Sequence, residues 1–585
     1  MKLSHWALVL FIICIGGLAS GCSSPTAAEP PVRIRWSHDP ENLEPMAPSN
    51  QYAVDAGNLL HCGLLAVDAN QRSFAPMLVE SMPAVQLIGD SLTKLDYRLR
   101  AAATWDNGQP VQARDVEFTL KLMHCPGLAN EAAQSQYGFI RAVEIDAADL
   151  RHFALLCRGQ APDFATASGD FPILPEAVLD PEGELRRYSL AQLQDRPAAA
   201  PLDSALARVA RHYRATAGGP LTGRVPGCGP YELISWEKDR ALRFRRKKSW
   251  WGARVQPVPL VLQAQAEQLE FLVIPDDATA SLALQRGELD VYPQVPVREF
   301  ARLQRLKSAQ GKLSFYTEGS YDVLTAGFNT RRPALADAGT RRALSRLFDA
   351  ASLLQALQLG EGRRTASLIS PSDKANYNDS LALLPFSPTE AAALLRGAGW
   401  QRETRADAGW QRRGPGGTTQ RLNLVVRYRS DEASFETVAL QFRAAAAQLG
   451  IPVQLQPTES AALTPALQRG DFDLYVRVLR GNPFLFNFAP ILHSQAVSEG
   501  NLTGYGTPAS DQLIEVTAKA ASPGVRARLL RKLQARLQAD APLVPIYILP
   551  MRIAAARNLT GLHVTGLKPG YTAATMSRTP AAHKP

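Results

Sequence analysis

Arg477 and Arg480 lie close together in the strand-like run Leu474-Tyr475-Val476-Arg477-Val478-Leu479-Arg480. A guanidinium is a planar fork of donors that grips a carboxylate or phosphate through two parallel hydrogen bonds, so these side chains suit an anion. Catalytic signatures are missing. The chain has no Gly-x-Ser-x-Gly elbow, no His-Glu-x-x-His and no glycine-rich phosphate loop, and its nine histidines are dispersed. That argues against an enzyme such as a secreted hydrolase. His61-Cys62 and His124-Cys125 are lone adjacent pairs whose side chains point in different directions, and no Cys/His cluster has metal-ligand spacing. They read as structural, and no cofactor or metal is expected.

The N-terminus carries a different chemistry. Lys2 precedes the apolar run Trp6–Ile15, which is too short to span a bilayer and has the layout of a signal peptide over residues 1–21. Leu18-Ala19-Ser20-Gly21-Cys22 resembles a bacterial lipobox, with Ala19 where a large aliphatic residue is usual. There the peptide is cut before the cysteine and the thiol takes a diacylglyceryl group. Lipidation at Cys22 would tether the mature chain to a membrane of the cell envelope, on the periplasmic side, through a leader over 22–31. Setting aside Cys14 and Cys22 leaves Cys62, Cys125, Cys157 and Cys228, which allow three pairings in an oxidising compartment.

The body that must position these residues has 585 residues, 46% of them apolar and 20% charged, which excludes disordered and fibrous classes and allows several domains. The net charge of +10 is spread along the chain, which argues against nucleic acid as a partner. Strand-like and helix-like stretches alternate, so the fold class is α/β. Leu92–Leu99 reads as a strand and Arg114–Met123 as a helix, with a turn at Asp106–Gly108 between them. Ser387-Pro388-Thr389-Glu390 reads as a helix start with a capping box. Phe435, Val438, Phe442, Ala446 and Leu449 form one helical stripe, and 402–420 reads as a solvated excursion. One repeat stands out. Ala283-Leu284-Gln285-Arg286-Gly287-Glu288-Leu289-Asp290-Val291-Tyr292 recurs as Ala466-Leu467-Gln468-Arg469-Gly470-Asp471-Phe472-Asp473-Leu474-Tyr475. Each copy is a helix end, a glycine cap and a strand start, which points to two similar lobes with a cleft between them.

Ordered motifs then carry a resemblance over about 33–560. They include Leu43-Glu44-Pro45, Asn58–Leu64, the stretch Leu95–Val116 with its Trp-Asp-Asn-Gly turn, Gly229-Pro230-Tyr231 and Ser249-Trp250-Trp251-Gly252. Gly327-Phe328-Asn329-Thr330, Arg341-Arg342-Ala343-Leu344 and Leu394–Trp400 follow. The chain resembles bacterial extracellular solute-binding proteins of family 5, the oligopeptide-, dipeptide- and nickel-binding type of ABC importers. The resemblance implies a two-lobed periplasmic-binding-protein fold of type II. The first lobe would comprise 32–68, 171–318 and 543–585, with an inserted domain at 69–170, and 319–542 would form the second lobe. It further implies a monomer that closes on a small or peptide-like solute and delivers it to ABC permease subunits. A sensory binding protein of the same fold is not separated from this by sequence. Asn50, Gln51, Tyr321, Asn329, Arg477, Arg480 and Asn482 are the expected ligand contacts. Peptide-binding members carry an Asp beyond the second-lobe strand that pairs with the peptide amine. Here the stretch after Asp473 has no acid until Glu499, so free-amine peptides are expected to bind weakly.

Overall fold

The computed structural model describes residues 29–579, apart from 129, 198–199, 218–224, 403–408, 415–416, 482–483, 485–486, 498–499 and 521. Cys22 with the signal and most of the leader, and Asn482, lie outside the described residues. An 11-stranded mixed sheet organises the chain. In spatial order it runs Val453–Thr458, Leu424–Arg429, Leu474–Leu479, Leu313–Phe328, Leu543–Ala556, Val291–Pro293, Val32–Trp36, Gln268–Val273, Ala241–Arg246 and Tyr231–Glu237, with Arg363–Arg364 paired onto Leu543–Ala556.

Leu313–Phe328 and Leu543–Ala556 are the longest strands, at 16 and 14 residues, and they lie antiparallel across both lobes. Leu313–Gly319 pairs with Ala556–Pro550, Val323–Gly327 pairs with Ile548–Leu543, and the register breaks between. Ser320 fills the break, donating to the Leu549 carbonyl at 2.7 Å and accepting from the Asp322 N–H at 3.1 Å. The lobes are joined at this break. The expected boundary at 542/543 therefore moves, because Leu543–Ile548 is hydrogen-bonded into the second-lobe half of the sheet.

Each lobe repeats one unit. In the first, Val32–Trp36 lies between parallel neighbours Gln268–Val273 and Val291–Pro293, with the helix Asp277–Arg286 linking those two. In the second, Leu424–Arg429 lies between parallel neighbours Val453–Thr458 and Leu474–Leu479, linked by Ser460–Arg469. Both linking helices end on a left-handed glycine, Gly287 at φ 73° and Gly470 at φ 78°. A side chain there would strain the backbone, which explains why the repeat keeps glycine.

The inserted domain is a four-stranded sheet ordered Ala84–Ile88, Leu92–Arg98, His152–Arg158, Ile140–Ile145, which shares one core with the helix Ala113–Met123. That core does not stop at 170. Leu179, Leu190, Leu206 and Tyr213 pack in one cluster with Leu95, Phe118 and Leu155, so the stretch expected to return to the first lobe partly completes the insert. The stripe helix is Ala433–Gln448, and it buries Phe435, Val438, Phe442 and Ala446. Ser387 caps Pro388–Gly397 by accepting from the Glu390 N–H, while the Glu390 carboxylate pairs with Arg346 at 3.0 Å instead of closing a capping box. The excursion after 402 contains strands Trp410–Arg413 and Thr419–Arg421. It is anchored, not merely solvated: Trp410 is buried and donates to the Leu449 carbonyl at 2.8 Å.

Candidate functional site

Beside the register break the lobes enclose a cavity of about 630 Å³. Its first-lobe wall starts with the helix Gln51–Leu60, whose Gln51 and Asp55 lie one turn apart and share a 2.9 Å hydrogen bond from the amide to the carboxylate. His61 and Cys62 continue that wall, followed by Asp170 and the segment around Lys568 and Tyr571. The second lobe supplies Arg480, Gly481 and Phe484, and Tyr321 and Asp322 come from the crossing strand. Contacts between the lobes include Phe74 and Phe484, with ring centroids 4.6 Å apart, the pair of Lys568 and Asp322 at 3.0 Å, and the pair of Arg526 and Asp163. A smaller chamber of about 340 Å³ shares Tyr321, Arg480 and Gly481 and runs on into the second lobe between Ile369, Asp373 and Phe488. Another cavity of about 630 Å³ has walls from the second lobe alone, between Leu383 and Leu537.

Charge divides unevenly between the walls. Burial pushes the Asp55 carboxyl up to about 7, against the opposing amide of Gln51. Asp170 is pushed up to about 6 by burial, although the Tyr137 hydroxyl donates to it at 2.9 Å. Burial holds His61 down to about 4, helped by the nearby Lys247 cation, and its Nδ1 has no hydrogen-bond partner among the described residues. Near neutrality His61 is thus uncharged and Asp55 partly protonated, while Asp170 is mostly ionised. Arg480 is an exposed cation on the cavity wall with no counter-ion among the described residues.

The expected contacts divide accordingly. Gln51, Tyr321 and Arg480 come together around the cavity. Asn50 and Asn329 are held elsewhere. Asn50 caps the helix Gln51–Leu60, accepting from Ala53 at 3.1 Å and donating to the Asp39 carbonyl at 3.0 Å. Asn329 is buried and donates to the carbonyls of Gly470 and Phe472 at 3.2 and 3.1 Å, which clamps the repeat turn. Arg477 lies in the strand Leu474–Leu479, outside the residues lining the cavity. Sequence reasoning missed Asp55, Asp170, Asp322, Asp373 and Lys568. Only Asp55 left a signal, its four-residue spacing from Gln51. Carboxylates from other segments thus line the two chambers, although the stretch after Asp473 carries no acid until Glu499.

Comparisons with known proteins agree with this architecture. The family model described as bacterial extracellular solute-binding proteins, family 5 Middle, matches residues 74–493. Protein XP55 of Streptomyces lividans is 25% identical over 534 residues, covering 89% of this chain and 85% of its own. Among solved structures, the oligopeptide-binding protein AppA of Bacillus subtilis, in complex with a nonapeptide, superposes with a TM-score of 0.69 at 17% identity, covering 94% of this chain and 99% of its own. NikA of Brucella suis, in complex with Fe(III)-EDTA, gives 0.71 at 18% identity, covering 94% and 100%. The family model spans most of the two-lobed body whose cleft has just been described, and the chain belongs to the bacterial extracellular solute-binding proteins of family 5.

Proposed function

We propose that this protein is the solute-capturing component of an ABC importer, tethered by lipid at Cys22 in the bacterial envelope and acting as a monomer that hands its solute to a membrane permease. The observation that carries the reading is the cavity built jointly by both lobes beside a pair of crossing strands. Such a site binds by closure: water leaves, both walls contact the solute, and the closed form becomes the stable one. Relatives in the family are binding proteins, and capture rather than conversion is the reading here as well.

The solute class follows from the charges. Arg480 offers a fork for a carboxylate or phosphate, and Asp373, on the smaller chamber that Arg480 also lines, offers a place for an amine. A peptide-like or other small anionic solute fits this arrangement, and with Asp373 in place a free amine is accommodated, contrary to the weak binding expected from the sequence. Calorimetry with peptides and their C-terminally amidated forms tests this. Amidation and Arg480→Ala should each weaken binding by about tenfold to a hundredfold, and together by little more, because they remove the same contact. Equal affinity for amidated and free-acid peptides, untouched by Arg480→Ala, would overturn the anion-reading role. Mass spectrometry of small molecules copurifying with the protein would identify the solute.

A further inference from the structure

We propose that Cys62 and Cys228 are a disulfide site in the first-lobe wall of the cleft. The helix Gln51–Leu60 ends at His61, and the loop over 227–230 is held against that end. The Gly229 N–H donates to the Leu60 carbonyl at 2.9 Å, and a Cβ on Gly229 would fall 2.5 Å from the Leu59 carbonyl oxygen, so the two backbones touch. Cys228 is pinned in this contact. Its carbonyl accepts from the indoles of Trp250 and Trp251 at 2.9 and 2.8 Å and from the Cys62 thiol at 3.1 Å. Both cysteines are free thiols, and both are 1% exposed. The other cysteines are placed apart. Cys125 donates to the Leu206 carbonyl at 3.8 Å, and Cys157 lies in the strand His152–Arg158. Of the six disulfides that four cysteines could form, the fold therefore favours Cys62–Cys228, with Cys125 and Cys157 left as thiols.

The chemistry is thiol–disulfide exchange with a disulfide oxidant, either an oxidoreductase of the export compartment or oxidised glutathione. One cysteine, as thiolate, breaks the oxidant's S–S bond and forms a mixed disulfide. The second cysteine, as thiolate, then attacks the first cysteine's sulfur in that mixed disulfide, the bond to the oxidant breaks, and the oxidant has left as two thiols carrying the two electrons and two protons. Burial raises the Cys62 thiol well above its ordinary range, so little thiolate exists once the loop has closed. The bond should form during folding and not afterwards. Once made, it ties the helix bearing Gln51 and Asp55 to a segment 166 residues away and stiffens the solute-facing wall. The inference shares the exported location with the proposed function but does not depend on which solute binds.

Thiol trapping decides it. Protein taken from its export pathway is alkylated at lysis, and a second sample is refolded from urea with oxidised glutathione and then alkylated; non-reducing peptide mass spectrometry follows. Both should show a Cys62–Cys228-linked peptide with Cys125 and Cys157 alkylated. The oxidised protein should melt about 2–4 °C above the reduced one, a gap absent in Cys228→Ser. Four alkylated cysteines in either sample, or a linkage through Cys125 or Cys157, would overturn the proposal. Neither result bears on solute binding, so its failure is distinct from failure of the transport reading.

Discussion

The two lobes use the same turn and secure it differently. In the first, the Asp290 N–H donates to the Arg33 carbonyl at 2.8 Å and its carboxylate accepts from the Arg33 N–H at 2.8 Å. In the second, the Asp473 N–H donates to the Val425 carbonyl at 2.9 Å and its carboxylate accepts from the Val425 N–H at 2.8 Å. The backbone clamp is thus the shared part. Charge is not. Asp290 also pairs with the Arg33 guanidinium at 3.4 Å and with Arg578 from the C-terminal segment. Asp473 has Arg332 at 3.6 Å, and burial lifts its carboxyl above the ordinary range. The hydrogen-bonded geometry defines the turn, and the ion pairs are local additions that fasten the chain's end to the first lobe. The cleft walls differ in the same spirit: desolvated acids on one side, an exposed Arg480 on the other.

The sharpest way to break this comparison is amide substitution at both turns. Asp290→Asn keeps an acceptor for Arg33 N–H but strands two partly buried guanidiniums, and should cost about 3–5 kcal/mol in urea unfolding. Asp473→Asn should cost about 1 kcal/mol or less, since its main bond is to a neutral N–H. Equal losses would show that the two aspartates do the same work. The next effect is pH-dependent. The folded-state pKa of Asp55 is raised, to about 7 from 3.8, so the wild type loses stability as pH climbs between those values and levels off above. Asp55→Asn should therefore gain on the wild type across that window, by about 2–4 kcal/mol at pH 8. Thermal melts that track each other at pH 4 and 8 would contradict this. Smallest are the glycine caps. Gly287→Ala, where an added Cβ meets nothing within 4 Å, should lose about 1 kcal/mol from the left-handed backbone alone. Gly470→Ala adds a 2.9 Å approach to the Arg331 side chain and should lose about 1–2 kcal/mol. A larger loss at Gly287 would reverse the comparison.

Much of the scaffold was legible because its signals are local. Ser387 lies three residues before Glu390, and the stripe of Phe435, Val438 and Phe442 has the helical period, so cap and buried face follow from chain geometry. The candidate site was less so. Asn50 and Asn329 have the side chains of ligand contacts, but an amide that binds a solute and one that caps a helix are the same residue in sequence. Asp322 and Lys568 are far apart in the chain, and no local pattern announces their pairing.

The sequence by itself determined the α/β alternation, the glycine-capped repeat and the family, because each rests on neighbours within a few turns or on motif order. Tertiary structure alone decided where the lobes join, which carboxylates line the cleft and which thiols meet. Those outcomes depend on contacts between distant segments, such as Leu313–Phe328 paired with Leu543–Ala556 and the 227–230 loop held against the end of the helix Gln51–Leu60. Tertiary packing sets which groups lose water, and that desolvation moves Asp55, Asp170 and His61 away from their ordinary ranges.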